Sequence, residues 1–102
     1  MSKRLVMLEG LVESGKADSF ARYALALEYK SAERPDDAKA AFRALREVDP
    51  GYLPMYLMAG QLAYDTDDLA LARDWLEAGL ALAVERQESK ARAEIEALLA
   101  ML

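Results

Sequence analysis

The sequence predicts an all-α chain made of two helix hairpins in tandem, with one further helix on either side. Three observations carry this reading. Apolar residues recur at spacings of three, four and seven, good helix formers such as Ala, Leu, Glu and Arg dominate, and no segment alternates as a strand would. Two aligned stretches keep a constant offset of 34, pairing Arg22 with Tyr56, Ala26 with Gly60, Ala38 with Ala72 and Phe42 with Leu76. The 102 residues, 54% hydrophobic and 30% charged, suffice for one compact domain and leave no room for a second. The expectation is a bundle of six helices forming a single domain over 1–102.

The first helix is expected over 3–14, with Leu5, Leu8 and Val12 on one apolar line and Val6, Met7 and Leu11 on another. It ends in the stretch Gly10-Leu-Val-Glu-Ser-Gly15-Lys16-Ala17-Asp18, one residue away from the phosphate-cradling pattern G-x-x-x-x-G-K-[ST]. A phosphate loop needs a strand before it and a hydroxyl for Mg²⁺, and Ala17 stands where that hydroxyl belongs. The stretch therefore reads as a junction between two helices. Gly15 takes the left-handed position after the first helix, and Asp18 caps the second, which spans Ser19 to about Ala32 and stops before Arg34-Pro35.

The hairpins occupy 19–52 and 53–86. Asp36-Asp37 and Asp67-Asp68 open the second helix of each pair, where carboxylates suit the positive end of the helix dipole. Pro54 fits the first turn of the helix that follows it. Small residues (Ala26, Ala38, Gly60, Ala72) mark where paired helices come close, and Leu25, Tyr29, Phe42, Leu45, Leu76 and Leu80 fill the space between. The last segment, 89–102, puts Ala91, Ile95, Leu98, Leu99 and Leu102 on one side and charges on the other, as a helix capping the end of the stack would.

These residues resemble the tetratricopeptide repeat family, whose pattern runs W-x₂-L-G-x₂-Y, then A-x₃-F, then P. In the first repeat Leu25, Tyr29, Ala38, Phe42 and Pro50 match, with Arg22 in place of the Trp and Ala26 in place of the Gly. In the second, Gly60 and Ala72 match, Tyr56, Ala59, Ala63 and Leu76 are softer substitutes, and Val84 stands where proline is expected. The resemblance covers about Phe20 to Val84. It implies a concave groove, lined by the first helix of each repeat, that holds a partner peptide or helix.

Both first helices are apolar on two faces. In the first repeat Phe20, Tyr23, Ala24 and Leu27 make a stripe beside the one facing the hairpin partner. By family position, Phe20, Tyr23, Leu27, Leu57, Met58, Gln61 and Tyr64 would line the groove. Domains of this family that grip a C-terminal carboxylate use cationic and amide side chains there, whereas Tyr23, Leu27 and Met58 stand at the equivalent places. A partner would then be held by apolar and aromatic contact. Two other occupants of the stripe are open to the sequence: the first helix of the chain itself, or a second copy in a structural homodimer.

Composition removes most other functions. A net charge of −5 disfavours nucleic acid and anionic membrane surfaces. The absence of Cys and His removes thiolate chemistry, the usual general base at neutral pH and the commonest metal ligand. Asp65-Thr66-Asp67-Asp68 begins like a calcium loop, but Ala70 and Leu76 occupy the positions that need Gly and Glu. The pairs Glu9/Glu13 and Glu94/Glu96 have no apolar pocket to raise a pKa, and Trp75 belongs with the packing residues. The apolar run after Lys3-Arg4 ends at Glu9, too short for a signal segment. The expectation is a cytoplasmic interaction module or adaptor without catalysis, cofactor or metal.

Overall fold

The computed structural model describes residues 2–102 and divides the chain into two compact units, Met1–Pro50 and Gly51–Leu102. Six α-helices and no strand occur among the described residues. The first unit holds α1 (Lys3–Glu13), α2 (Ser19–Ser31) and α3 (Pro35–Val48); the second holds α4 (Leu53–Asp65), α5 (Leu69–Glu85) and α6 (Ser89–Leu99). No helix of the described residues is long and apolar enough to cross a membrane.

In the first unit, Ser2 caps α1 by accepting from the Arg4 and Leu5 amides, and Asp18 caps α2 by accepting from the Ala21 amide at 2.8 Å. Pro35 starts α3, where its missing N–H is no loss, and Asp36 and Asp37 follow in the first turn. Leu5 and Leu8 of α1 bury against Ala24 and Leu25 of α2, with Leu11, Val12, Ala21 and Tyr29 around them. Two polar contacts tie the same pair of helices. Tyr29 Oη donates to Glu9 Oε2 at 2.5 Å, and Arg4 meets Glu28 at 3.2 Å. The α2–α3 hairpin closes over Ala26, Ala38, Phe42 and Leu45, all without exposure. Burying a Phe and a Leu completely is worth about 1.5–3 kcal/mol each. Ser19 Oγ donates to Asp49 Oδ2 at 2.6 Å, fastening the start of α2 to the residue after α3.

In the second unit α4 and α5 cross at two glycines. A methyl group on Gly60 would lie 2.6 Å from Leu76 Cδ2, and one on Gly79 would lie 2.5 Å from Tyr56 Cβ, so the Leu76 side chain packs on the bare backbone at Gly60 and the two helices close at Gly79 as only glycine permits. Tyr56 and Trp75 are both buried, with ring centroids 5.7 Å apart and planes tilted by 59°. Helix α6 seats Ile95 on Leu76 and Ala83, and Ala91, Leu98, Leu99 and Leu102 pack around that cluster. The expected capping face is the face that packs, although the helix ends at Leu99, short of the expected 89–102.

The four turns joining helices within the units share one geometry. Each has a residue in the left-handed region, Gly15 (φ 74°), Glu33 (58°), Asp67 (62°) and Gln87 (57°). The amide after each donates to a carbonyl five residues back: Lys16 to Leu11, Arg34 to Tyr29, Asp68 to Ala63 and Glu88 to Ala83, at 2.8–3.0 Å. This is a Schellman-type closure. The stretch from Gly10 to Asp18 is therefore the end of a helix, a left-handed turn and an N-cap. Asp67 lies in the turn rather than in the helix, and only Asp68 caps α5, accepting from the Leu71 amide.

Candidate partner-binding surface

Each first helix has one face that its own unit leaves uncovered. On α2, Ala21, Ala24, Leu25, Glu28 and Tyr29 face α1. Tyr23 turns its half-buried ring toward Phe42 of α3, at 6.4 Å between centroids. Of the rest of α2, Phe20, Leu27 and Ser31 lie within about 40° of one another on the helical wheel. Phe20 is 65% exposed, Leu27 is half-buried and Ser31 is exposed. Ala24, counted with the uncovered stripe in the sequence, is buried against Leu5 and Leu8.

On α4 the outward line is Pro54, Met58, Gln61 and Asp65, of which all but the half-buried Met58 are exposed. Phe20 and Pro54, Leu27 and Gln61, Ser31 and Asp65 are each 34 positions apart, so the uncovered faces of α2 and α4 are in the same register of the repeat. Leu57 is half-buried and packs against the cluster of Leu76, Ala83 and Ile95. Tyr64, also half-buried, sits about 20° from Leu57 on the wheel. Met55 and Leu62 are buried beside Ala59 at i, i+4 and i+7, and the sequence left these two positions unassigned although that spacing was available.

The Tyr29 phenol is pushed up to about 12 by burial and by the hydrogen bond to the Glu9 carboxylate. The Arg34 guanidinium, 4.8 Å above the Tyr29 ring, acts in the opposite direction more weakly. Tyr29 is thus a latch between α1 and α2, on the opposite side of α2 from Phe20.

Two helix hairpins in a common 34-residue register, each closed over small residues at the crossing, define a helical-repeat protein. No family model matches the chain, and no curated protein does. Solved structures do match. A tetratricopeptide repeat domain protein from Salinibacter ruber is 34% identical in its crystal structure, with a TM-score of 0.74 over 82% of this chain and 94% of that one. A solution NMR structure of a tetratricopeptide repeat domain protein from Salinibacter ruber is also 34% identical, with a TM-score of 0.75 over 81% and 85%. The solution structure of a Bordetella parapertussis protein is 28% identical, with a TM-score of 0.83 over 99% and 88%. The chain belongs to the tetratricopeptide repeat family.

Proposed function

We propose that this protein is an interaction module, an adaptor in the cytoplasm, that binds partner peptides or helices through the uncovered face of the first helix of each repeat, α2 in one unit and α4 in the other. The observation that carries the reading is Phe20, a 65% exposed aromatic ring on a helix whose other faces are taken by α1 and α3. Leaving a phenylalanine ring in water forgoes about 1.5–3 kcal/mol of burial, which a partner can recover. Leu27 extends the apolar line on α2, and Met58 beside Gln61 gives an adaptable apolar contact with a polar neighbour on α4. Tyr23 and Tyr64 flank these lines with half-buried rings, and Leu57 holds its helix in place through its own packing.

Charge narrows the kind of partner. No Lys or Arg occurs between Arg46 and Arg73, so a segment lying on α4 meets Asp65 and no cation of that helix. An apolar segment with basic flanks fits, and no catalytic step is required of the protein.

The test is capture from lysate of the source cells with wild type and a Phe20→Glu/Met58→Glu variant, after circular dichroism and melting show both folded. A protein retained by wild type and lost from the equally folded variant supports the proposal. Equal capture by both refutes it. Unfolding of the variant would show these side chains to be core, since a buried unpaired carboxylate costs several kcal/mol.

A further inference from the structure

The outer face of α1 contains an apolar patch that the proposed function does not use. Val6 is 54% exposed and Met7 58%, on the side of the helix opposite Leu5 and Leu8. Between them and the end of the helix lies Gly10, also exposed, where an added Cβ would meet nothing within 4 Å. A glycine inside a helix is about 1 kcal/mol worse than alanine. Gly60 and Gly79 are explained by close approaches within the fold; Gly10 is not, because the space above it is empty.

The charges at the two ends of this face say what approaches. Lys3 is at its N-terminal end and Glu13 at its C-terminal end, both exposed. Arg4 and Glu9, the other charged residues of α1, are engaged with Glu28 and Tyr29. A second α1 laid antiparallel about a two-fold axis near residue 8 places Val6 and Met7 of each copy over Gly10 of the other. The same arrangement puts Lys3 of each copy beside Glu13 of the other, so both ends of the contact are charge-complementary. A parallel pair would set Lys3 against Lys3 and Glu13 against Glu13.

We infer that α1 is a homotypic contact through which a second copy of this chain docks, antiparallel, across Gly10. The helix is only about 16 Å long, so the contact is of the small, transient class. It uses a surface separate from Phe20 and Leu27.

Sedimentation velocity tests this from roughly 10 µM to 1 mM, the range in which so small a contact becomes populated. Wild type is expected to move toward the dimer mass as concentration rises, and Gly10→Leu to remain a monomer of unchanged or higher helicity. Lys3→Glu and Glu13→Lys each favour the helix dipole, so both variants fold. Each turns two attractive contacts repulsive and should weaken association about tenfold. An equimolar mixture of the two regains wild-type association, because one variant then carries a carboxylate at both ends of the face and the other an ammonium at both. A wild type that is monomeric throughout, association that survives Gly10→Leu, or a mixture that fails to recover each overturns the inference.

Discussion

Replacing Gly79 by alanine places a carbon 2.5 Å from Tyr56 Cβ and 3.2 Å from both Tyr56 Cγ and Ile95 Cδ1. Tyr56 Cβ is fixed to the backbone of α4, so no rotamer relieves the contact, and α4 and α5 must part by about 1 Å to reach ordinary van der Waals distance. Overpacking of this kind costs about 1–3 kcal/mol, and this contact is at the severe end. Against it stands the gain of about 1 kcal/mol from removing a helical glycine. The net expectation for Gly79→Ala is a loss of about 2 kcal/mol, or roughly 10 °C in Tm for a chain of this size. Gly10→Ala is the control, because nothing surrounds that site, and it should raise stability by about 0.5–1 kcal/mol. Both are measured by urea denaturation followed by circular dichroism at a few micromolar (roughly 5 µM), where α1 is unpaired under a transient-contact affinity. A Gly79→Ala variant as stable as wild type would refute the close crossing of α4 and α5 on which the packing account depends.

The remaining predictions concern turns and the α1 latch. Glu33→Gly, Asp67→Gly and Gln87→Gly each relieve a left-handed non-glycine residue and should stabilise by about 0.5–1 kcal/mol, while Gly15→Ala should destabilise by about 1 kcal/mol; denaturant midpoints check all four. Tyr29→Phe removes the hydrogen bond to Glu9 and should cost about 1–2 kcal/mol in the same assay. The raised phenol also fixes the sign of a pH effect: its stabilisation is complete below the ordinary value near 10 and is lost as pH rises toward about 12. Tyr29→Phe lacks that contribution at every pH, so its stability should fall less steeply than that of wild type across this window, and ultraviolet titration of tyrosinate should lose a component near pH 12 in that variant.

What the sequence made legible was whatever depends on local pattern. The 34-residue period needs only residue identity, so it located both hairpins and the small residues Ala26, Ala38, Gly60 and Ala72 at their crossings, all of which are buried. Gly15 announced its left-handed turn because glycine does so by composition. Glu33 and Gln87 adopt the same conformation without any compositional signal, since the closing amide-to-carbonyl bonds impose it on ordinary residues.

The candidate surface was harder to read because α2 and α4 are apolar on more than one face, and periodicity does not say which neighbour takes which face. Ala24 went to α1, Leu57 to the cluster around Ile95, and the ring of Tyr23 toward Phe42. Phe20 looked like any member of an apolar stripe until packing left it exposed. The outer face of α1 was illegible for the same reason, with Val6 and Met7 indistinguishable in pattern from Leu5 and Leu8.

The most direct test of the central claim is to map the captured partner onto isotope-labelled protein by backbone amide chemical shifts. The account predicts that shifts concentrate along Phe20, Leu27 and Ser31 on α2 and along Met58 and Gln61 on α4. Shifts confined to the outer faces of α3 and α5, with those residues unmoved, would contradict it.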